Sequence, residues 1–169
     1  MKISQEELKS LLSYDPETGA FTWRLMTSPR VKAGDRAGYF RKRDGYIVVR
    51  IHGYGYSAHR LAWFYVHGIW PGMIDHKDRN RANNAMKNLR EATVSQNAMN
   101  TVATSSNTSG YRGVTWNRGA GRWQAQSRLN GKNHYLGLFK SAAAASDAYE
   151  AFCRQHHGQF YVGNQRAAA

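Results

Sequence analysis

Apolar positions recur with helical spacing at Leu8, Leu11 and Leu12, behind a capping pair of Ser4 and Glu7, so a short helix opens the pattern. Asp15-Pro16-Glu17-Thr18-Gly19 reads as a turn, and Ala20-Phe21-Thr22-Trp23 as a strand. From Leu25 to Ala37 the alternation fails while Arg30, Lys32 and Arg36 accumulate, which predicts a basic loop. Alternation returns in Ala37-Gly38-Tyr39-Phe40 and in Tyr46-Ile47-Val48-Val49-Arg50-Ile51. Asp44-Gly45 between them signals a tight hairpin, with Arg41, Lys42 and Arg43 crowding its tip. A second turn at His52-Gly53-Tyr54-Gly55 leads to a short strand, Tyr56-Ser57-Ala58. The apolar spacing from His59 to His67 then predicts a helix stopped by Gly68.

The pattern changes after the apolar Met73-Ile74. Asp75 and His76 are followed by Asn80, Asn83, Asn84, Asn88, Asn97 and Asn100, all within 25 residues of Asp75 and interleaved with Lys and Arg. A core segment has no use for so many amides. Strand neighbours face opposite sides, so Asp75 and His76 both turn inward only if one of them ends the strand. Thr93-Val94-Ser95-Gln96 reads as a capping box that places Asn97 in the first turn of a helix. A strand end, a polar loop and a helix start would thus converge a carboxylate, an imidazole and several amides. That donor set suits a hard, oxygen-ligated cation beside a base.

Residues 101–109 are small, polar and nearly uncharged without periodicity, which marks a linker. Three strand candidates follow, at 111–116, 122–128 and 132–137, with Asn130-Gly131 a hairpin signal between the last two. In the middle one Arg122, Gln124, Gln126 and Arg128 share one face, and Trp123, Ala125 and Ser127 the other. A helix from about Ser141 to His157 carries the apolar stripe Ala144, Ala145, Ala148, Tyr149 and Phe152, and Gly158 ends it.

Charge sharpens this picture. Lys and Arg number 24 against 11 Asp and Glu, a formal net charge of +13, so a polyanionic partner is expected. Cys153 is the single cysteine, which excludes a disulfide framework and a Cys-rich zinc site. No stretch approaches the roughly 18 apolar residues of a membrane span, and the first residues show no apolar signal core. A cytoplasmic protein is expected.

Asp75-His76-Lys77-Asp78, Asn80, Asn83-Asn84, Asn88-Leu89-Arg90 and Thr93 to Asn97 resemble the HNH motif of phage homing endonucleases. The likeness extends to Ala58-His59-Arg60-Leu61-Ala62-Trp63 and to Leu12 through Gly19. It implies phosphodiester hydrolysis with His76 as general base, since a neutral imidazole accepts a proton near physiological pH. It makes Asp75 and Asn97 ligands of Mg²⁺ or Mn²⁺, with Asn88 orienting His76. A turn-forming Asn88 and an ordinary helical Asn97 remain open. Lys77, Arg79, Arg81 and Arg90 are expected on phosphates, and His59 is left out of the catalytic set because a packed histidine bonded to backbone explains it equally well. A Ser/His/Asp hydrolase is excluded, since no serine sits in a nucleophile-elbow context.

Tyr111-Arg112-Gly113-Val114, Gly121 to Ala125, Tyr135 to Phe139 and Ala145 to Tyr149 resemble the DNA-binding domain of plant ethylene-response factors, the APETALA type. There a three-stranded sheet enters the major groove, which implies base or backbone contacts for Arg112, Arg122, Gln126, Arg128 and Tyr135. Thr115 and Asn133 stand where plant members often have Arg, so the usual base preference does not carry over.

Together these give an α+β chain. Residues 1–100 form an HNH nuclease module, its ββα-metal motif at about 72–100. A linker occupies 101–109, and 110–166 form a three-stranded antiparallel sheet packed on one helix. The expected function is a metal-dependent, sequence-preferring endonuclease of homing or nicking type, acting on double-stranded DNA as a monomer or weak dimer. The alternative is a non-catalytic DNA-binding transcriptional regulator that uses the C-terminal module.

Overall fold

The computed structural model describes residues 3–26, 28–100, 107–161 and 163, with nothing described for the side chains of Met99 and Gln159. The chain divides into two compact units between Ala92 and Thr93. The expected linker lies further on, and its residues 101–106 fall outside the described set. So do Ala167 to Ala169.

In the first unit helix α1 (Gln5–Leu11) starts at Ser4, whose hydroxyl accepts from Glu7 N. Strands β1 (Leu12–Tyr14), β2 (Phe21–Trp23) and β3 (Arg36–Ala37) form one antiparallel sheet. Strands β4 (Tyr39–Arg41), β5 (Tyr46–Ile51) and β6 (Tyr54–Ser57) form a second. Helix α2 (Ala58–His67) follows and ends at Gly68, whose φ of +71° is the left-handed stop expected there. The antiparallel pair β7 (Ile74–His76) and β8 (Leu89–Glu91) completes the unit, with a 3₁₀ turn Met86–Asn88 leading into β8.

Its core is one apolar cluster that includes Leu8, Leu12, Phe21, Val49, Leu61, Phe64, Ile74 and Leu89. Gln5 seals the packing of α1 on α2, because its Nε2 donates to Phe64 O and Tyr65 O at 3.2 and 2.8 Å. Those carbonyls belong to the last turn of α2, where helical partners run out. Arg60 anchors the segment ahead of β7 by donating to Pro71 O and Gly72 O at 2.8 and 3.1 Å.

Two turns differ in kind from each other. Ile51 pairs with Tyr54 across the two-residue turn His52-Gly53, both with positive φ, as strand twist favours. Between β4 and β5, Arg41 pairs with Tyr46, so Lys42 to Gly45 form a four-residue loop rather than the tight Asp-Gly turn expected. Asp44 explains the longer loop: its carboxylate takes Arg41 in two contacts of 2.8 Å, holding the extra residues together.

The second unit opens with α3 (Val94–Met99), capped reciprocally by Thr93 and Gln96, and α3 packs against the 3₁₀ turn Gly158–Phe160. The motif expected at 72–100 is thus split, its two strands in the first unit and its helix in the second. Strands β9 (Val114–Asn117), β10 (Arg122–Leu129) and β11 (Lys132–Phe139) form an antiparallel sheet with β10 central. Helix α4 (Ala142–His157) packs on it. β9 begins three residues later than its pattern predicts. Gly113 sits in a turn at φ +73°, where a Cβ would lie 2.2 Å from the Tyr149 ring. Asn107 and Ser109 belong to the fold rather than to a linker: Ser109 Oγ lies within hydrogen-bonding distance of both Tyr111 O and Val114 O. The alternation predicted for β10 holds, with Ala125 and Ser127 buried while Arg122, Gln126 and Arg128 are exposed.

Candidate functional site

The site grows from the end of β7. His76 is the last strand residue, so its side chain turns inward after Asp75 has done so on the other face, and both are 4% exposed. Antiparallel register sets Asp75 opposite Arg90. Arg90 Nε and Nη2 both reach Asp75 Oδ2, at 2.8 and 2.7 Å, with little of either side chain exposed. Arg90 was expected on a phosphate. The structure instead spends its charge on a buried carboxylate, because lone charges are too costly there.

His76 Nε2 lies 3.3 Å from Asn84 Oδ1. Asn84 is 2% exposed and fixed on both sides: its Nδ2 donates to Ala82 O, and its backbone O accepts from Tyr14 Oη at 2.7 Å. An amide oxygen only accepts, so neutral His76 carries its proton on Nε2 and its basic lone pair on Nδ1. Burial holds the His76 pKa below the usual imidazole value, opposed by the Asn84 contact and by Asp78 and Asp75, with Arg81 lowering it further. The ring is therefore an unprotonated base at neutral pH.

Asn88 was expected to orient His76. Its amide does other work: Oδ1 accepts from Asp78 N at 3.0 Å, while Nδ2 donates to Asp78 Oδ1 and Asn83 O at 2.9 and 2.8 Å. Asp78 also takes Asn80 N and Asn83 Nδ2, at 2.8 and 2.7 Å. Burial raises the Asp78 pKa, but these hydrogen bonds outweigh it and the group ends below its ordinary value. The asparagine-rich stretch is thus a loop stitched by side-chain amides. Its Arg79 adopts φ +64°, in the left-handed region that non-glycine residues seldom enter. Arg79 is half-buried, and the exposed Lys77 directs Nζ to Lys87 O at 2.7 Å.

Two residues outside the expected set complete the surroundings of His76. The His59 ring meets it edge to face, centroids 5.1 Å apart, and Tyr46 lies 4.9 Å from His59 and 6.0 Å from His76. His59 is 8% exposed, and its Nδ1 has no hydrogen-bond partner among the described residues. It is buried as a packed histidine is, but without a hydrogen bond at Nδ1. Burial lowers its pKa to about 3, helped by His76 and Arg60. The Asn83-Asn84 pair was visible in the sequence, yet only the loop path shows which of its amides meets the imidazole.

Among the described residues no three His, Cys, Asp or Glu side chains gather to hold a metal. Asp75 beside His76 offers hard-donor chemistry that suits a divalent cation, with Arg90 already balancing its charge. Asn97 lies half-buried in α3 of the second unit, its N–H bonded to Thr93 O at 2.9 Å.

In the second unit Arg112, Gln126 and Arg128 line one shallow cleft of about 240 Å³ with Asn133 and Tyr149. Tyr135 pairs with Gln126 across β10 and β11 and is 63% exposed, while Arg122 lies exposed at the start of β10. Cys153 is buried and its thiol pKa is raised by that burial, so it is no nucleophile.

A family model described as HNH endonuclease matches residues 56–99, from β6 through α3. Protein 3.8 of Escherichia phage T7 is 34% identical over 87 residues, covering 52% of this chain and 71% of that protein. A protein of Acanthamoeba polyphaga mimivirus named as an uncharacterized HNH endonuclease is 33% identical over 92 residues, covering 54% of this chain and 46% of its own length. No solved structure matches. The chain belongs to the HNH endonuclease family, and the matched stretch contains Asp75, His76, Asn84, Asn88 and Asn97. No helix among the described residues is long and apolar enough to cross a membrane.

Proposed function

We propose that the protein is a DNA endonuclease in which His76 deprotonates the water that attacks a phosphodiester. The observation that carries this reading is a buried, neutral His76 whose Nε2 is directed at Asn84 Oδ1, which leaves Nδ1 as the base. Proton transfer from a positioned imidazole needs that pairing of geometry and protonation state. Asp75 and, through the family resemblance alone, Asn97 would hold Mg²⁺ or Mn²⁺. A bound divalent ion supplies neutralisation of charge on the phosphate and on the leaving oxygen. Asn88 supports the base indirectly, by closing the loop that carries Asn84.

The second unit would read double-stranded DNA in the major groove. Arg112, Arg122, Gln126, Arg128 and Tyr135 would contact bases or backbone there, and Lys77 and Arg79 would contact phosphates near the cut. The ethylene-response-factor likeness supports this through its sequence motifs and an exposed Arg/Gln face on a three-stranded sheet. A homing or nicking role is what the resemblance of the motif to phage homing endonucleases would imply.

The test is supercoiled plasmid incubated with the protein in Mg²⁺ or in EDTA, beside His76→Ala. Relaxed circles that require both the metal and His76, with DNA affinity kept in the variant, are expected. DNA that is bound but uncut under every metal condition would instead favour a regulator.

A further inference from the structure

The loop between β4 and β5 concentrates more positive charge than its own ion pair uses. Arg41, Lys42 and Arg43 are consecutive there, and Arg81 reaches in from the asparagine-rich loop to donate to Asp44 O at 3.1 Å. Asp44 is the sole acidic residue of the tip, and it is engaged by Arg41 at 2.8 Å and more loosely by Arg43 at 3.7 Å. Four cations against one carboxylate repel one another, and no apolar burial at the tip offsets that cost. The Arg43 side chain is 82% exposed, and Lys42 has no acidic partner among the described residues.

The tip also has a defined address. Tyr46 is the first residue after it, and the Arg81 guanidinium lies over the Tyr46 ring at 5.1 Å. The same ring touches His59 and lies 6.0 Å from His76. Loop cations and histidine pair are thus joined through one aromatic side chain, all within the first unit.

We propose that this loop is a phosphate clamp that grips the backbone of duplex DNA beside the His76 site. Lys42 and Arg43 supply the movable charges, while Asp44 holds Arg41 and Arg81 in place. Charge complementarity selects the occupant: a row of phosphates matches several cations spaced along a strand turn. The proposal rests on the nuclease reading above, and it adds a substrate-gripping element whose movable cations, Lys42 and Arg43, lie outside the matched residues 56–99.

The experiment uses the full-length chain with Lys42→Gln and Arg43→Gln combined, both exposed and outside the core. An equal-charge control combines Arg30→Gln and Lys32→Gln in the other basic loop. Affinity for an oligonucleotide duplex is measured in EDTA across a salt series, and nicking rates are measured in Mg²⁺. The tip variant should bind roughly tenfold more weakly at moderate salt, its log–log salt slope shallower by about two. Its KM should rise while kcat stays within about twofold. An unchanged slope and KM, or an equal loss in the control, overturns the clamp. A shallower slope in a protein that never cuts DNA would keep the clamp and sink the nuclease reading instead.

Discussion

Replacing Gly19 by alanine strains the candidate site from outside it. Gly19 closes the Asp15 to Gly19 turn at φ +74°, and a Cβ there would lie 2.2 Å from Asn84 C, 2.3 Å from Ala85 N and 2.7 Å from Asn84 Cα. All three are backbone atoms, so no side-chain rotation relieves the clash. The turn is tied to the same loop by Met86 N donating to Pro16 O at 2.8 Å and by Tyr14 Oη to Asn84 O. Gly34 is the internal control, because its φ is +89° and nothing lies within 4 Å of its added Cβ. Left-handed backbone costs alanine about 1–2 kcal/mol at either position. Overpacking adds about 1–3 kcal/mol, and only at Gly19. Relief of the clash must carry Asn84 about 1 Å away, and misplacement on that scale costs roughly 100-fold in rate. Urea unfolding of both variants and initial nicking rates at saturating DNA read the two effects separately. Gly19→Ala with the stability of Gly34→Ala and a full rate would refute the packing argument and the link from turn to base together.

Asn84→Ala should lower kcat about 10- to 100-fold with DNA affinity unchanged, as removal of a partner that orients a site residue does. Asn84→Asp, which keeps the acceptor, should recover much of it, and a wild-type kcat in the alanine variant would show that His76 needs no such partner. Removing one member of the Asp75–Arg90 pair strands a buried charge, so Arg90→Met should cost about 3–5 kcal/mol in denaturant unfolding. The double variant with Asp75→Leu should be less destabilised than the sum of the two single changes, and strict additivity would argue that the pair does not interact. His59 binds a proton far more weakly when folded, at about 3, than when unfolded near 6.5. Its contribution is whole above pH 6.5 and declines as pH falls toward 3, by about 1.4 kcal/mol per unit. Between pH 6.5 and 5.0 the wild type should lose roughly 2 kcal/mol more than His59→Gln. Equal losses in the two would mean that His59 is not buried uncharged.

Much of the local architecture was legible in residue order, because the interactions that specify it reach only a few positions along the chain. Thr93 and Gln96 announce the α3 cap that they go on to form, and Gly68 ends α2 where its left-handed φ is needed. Strict alternation in β10 identified the exposed Arg and Gln face and the small residues beneath α4. The Asp-His pair after an apolar strand marked the place of the candidate site, since two adjacent inward polar side chains require a strand end.

What remained hidden depends on pairings between distant positions. Asparagines 83, 84 and 88 carry the same amide, and only the loop path aims Asn84 at His76 while Asn88 closes on Asp78. Arg90 looked like any surface cation until β7–β8 register set it against Asp75. The four-residue loop between β4 and β5 replaced a tight turn because Asp44 found Arg41. Tyr46 and His59 belong to elements whose apolar patterns said only that they pack. Residue order by itself determined element types, the basic character and the location of the candidate site, all through short-range propensity and periodicity. Tertiary structure alone decided which amide, which cation and which ring surround His76, because equivalent donors differ only in the positions the folded backbone allows them.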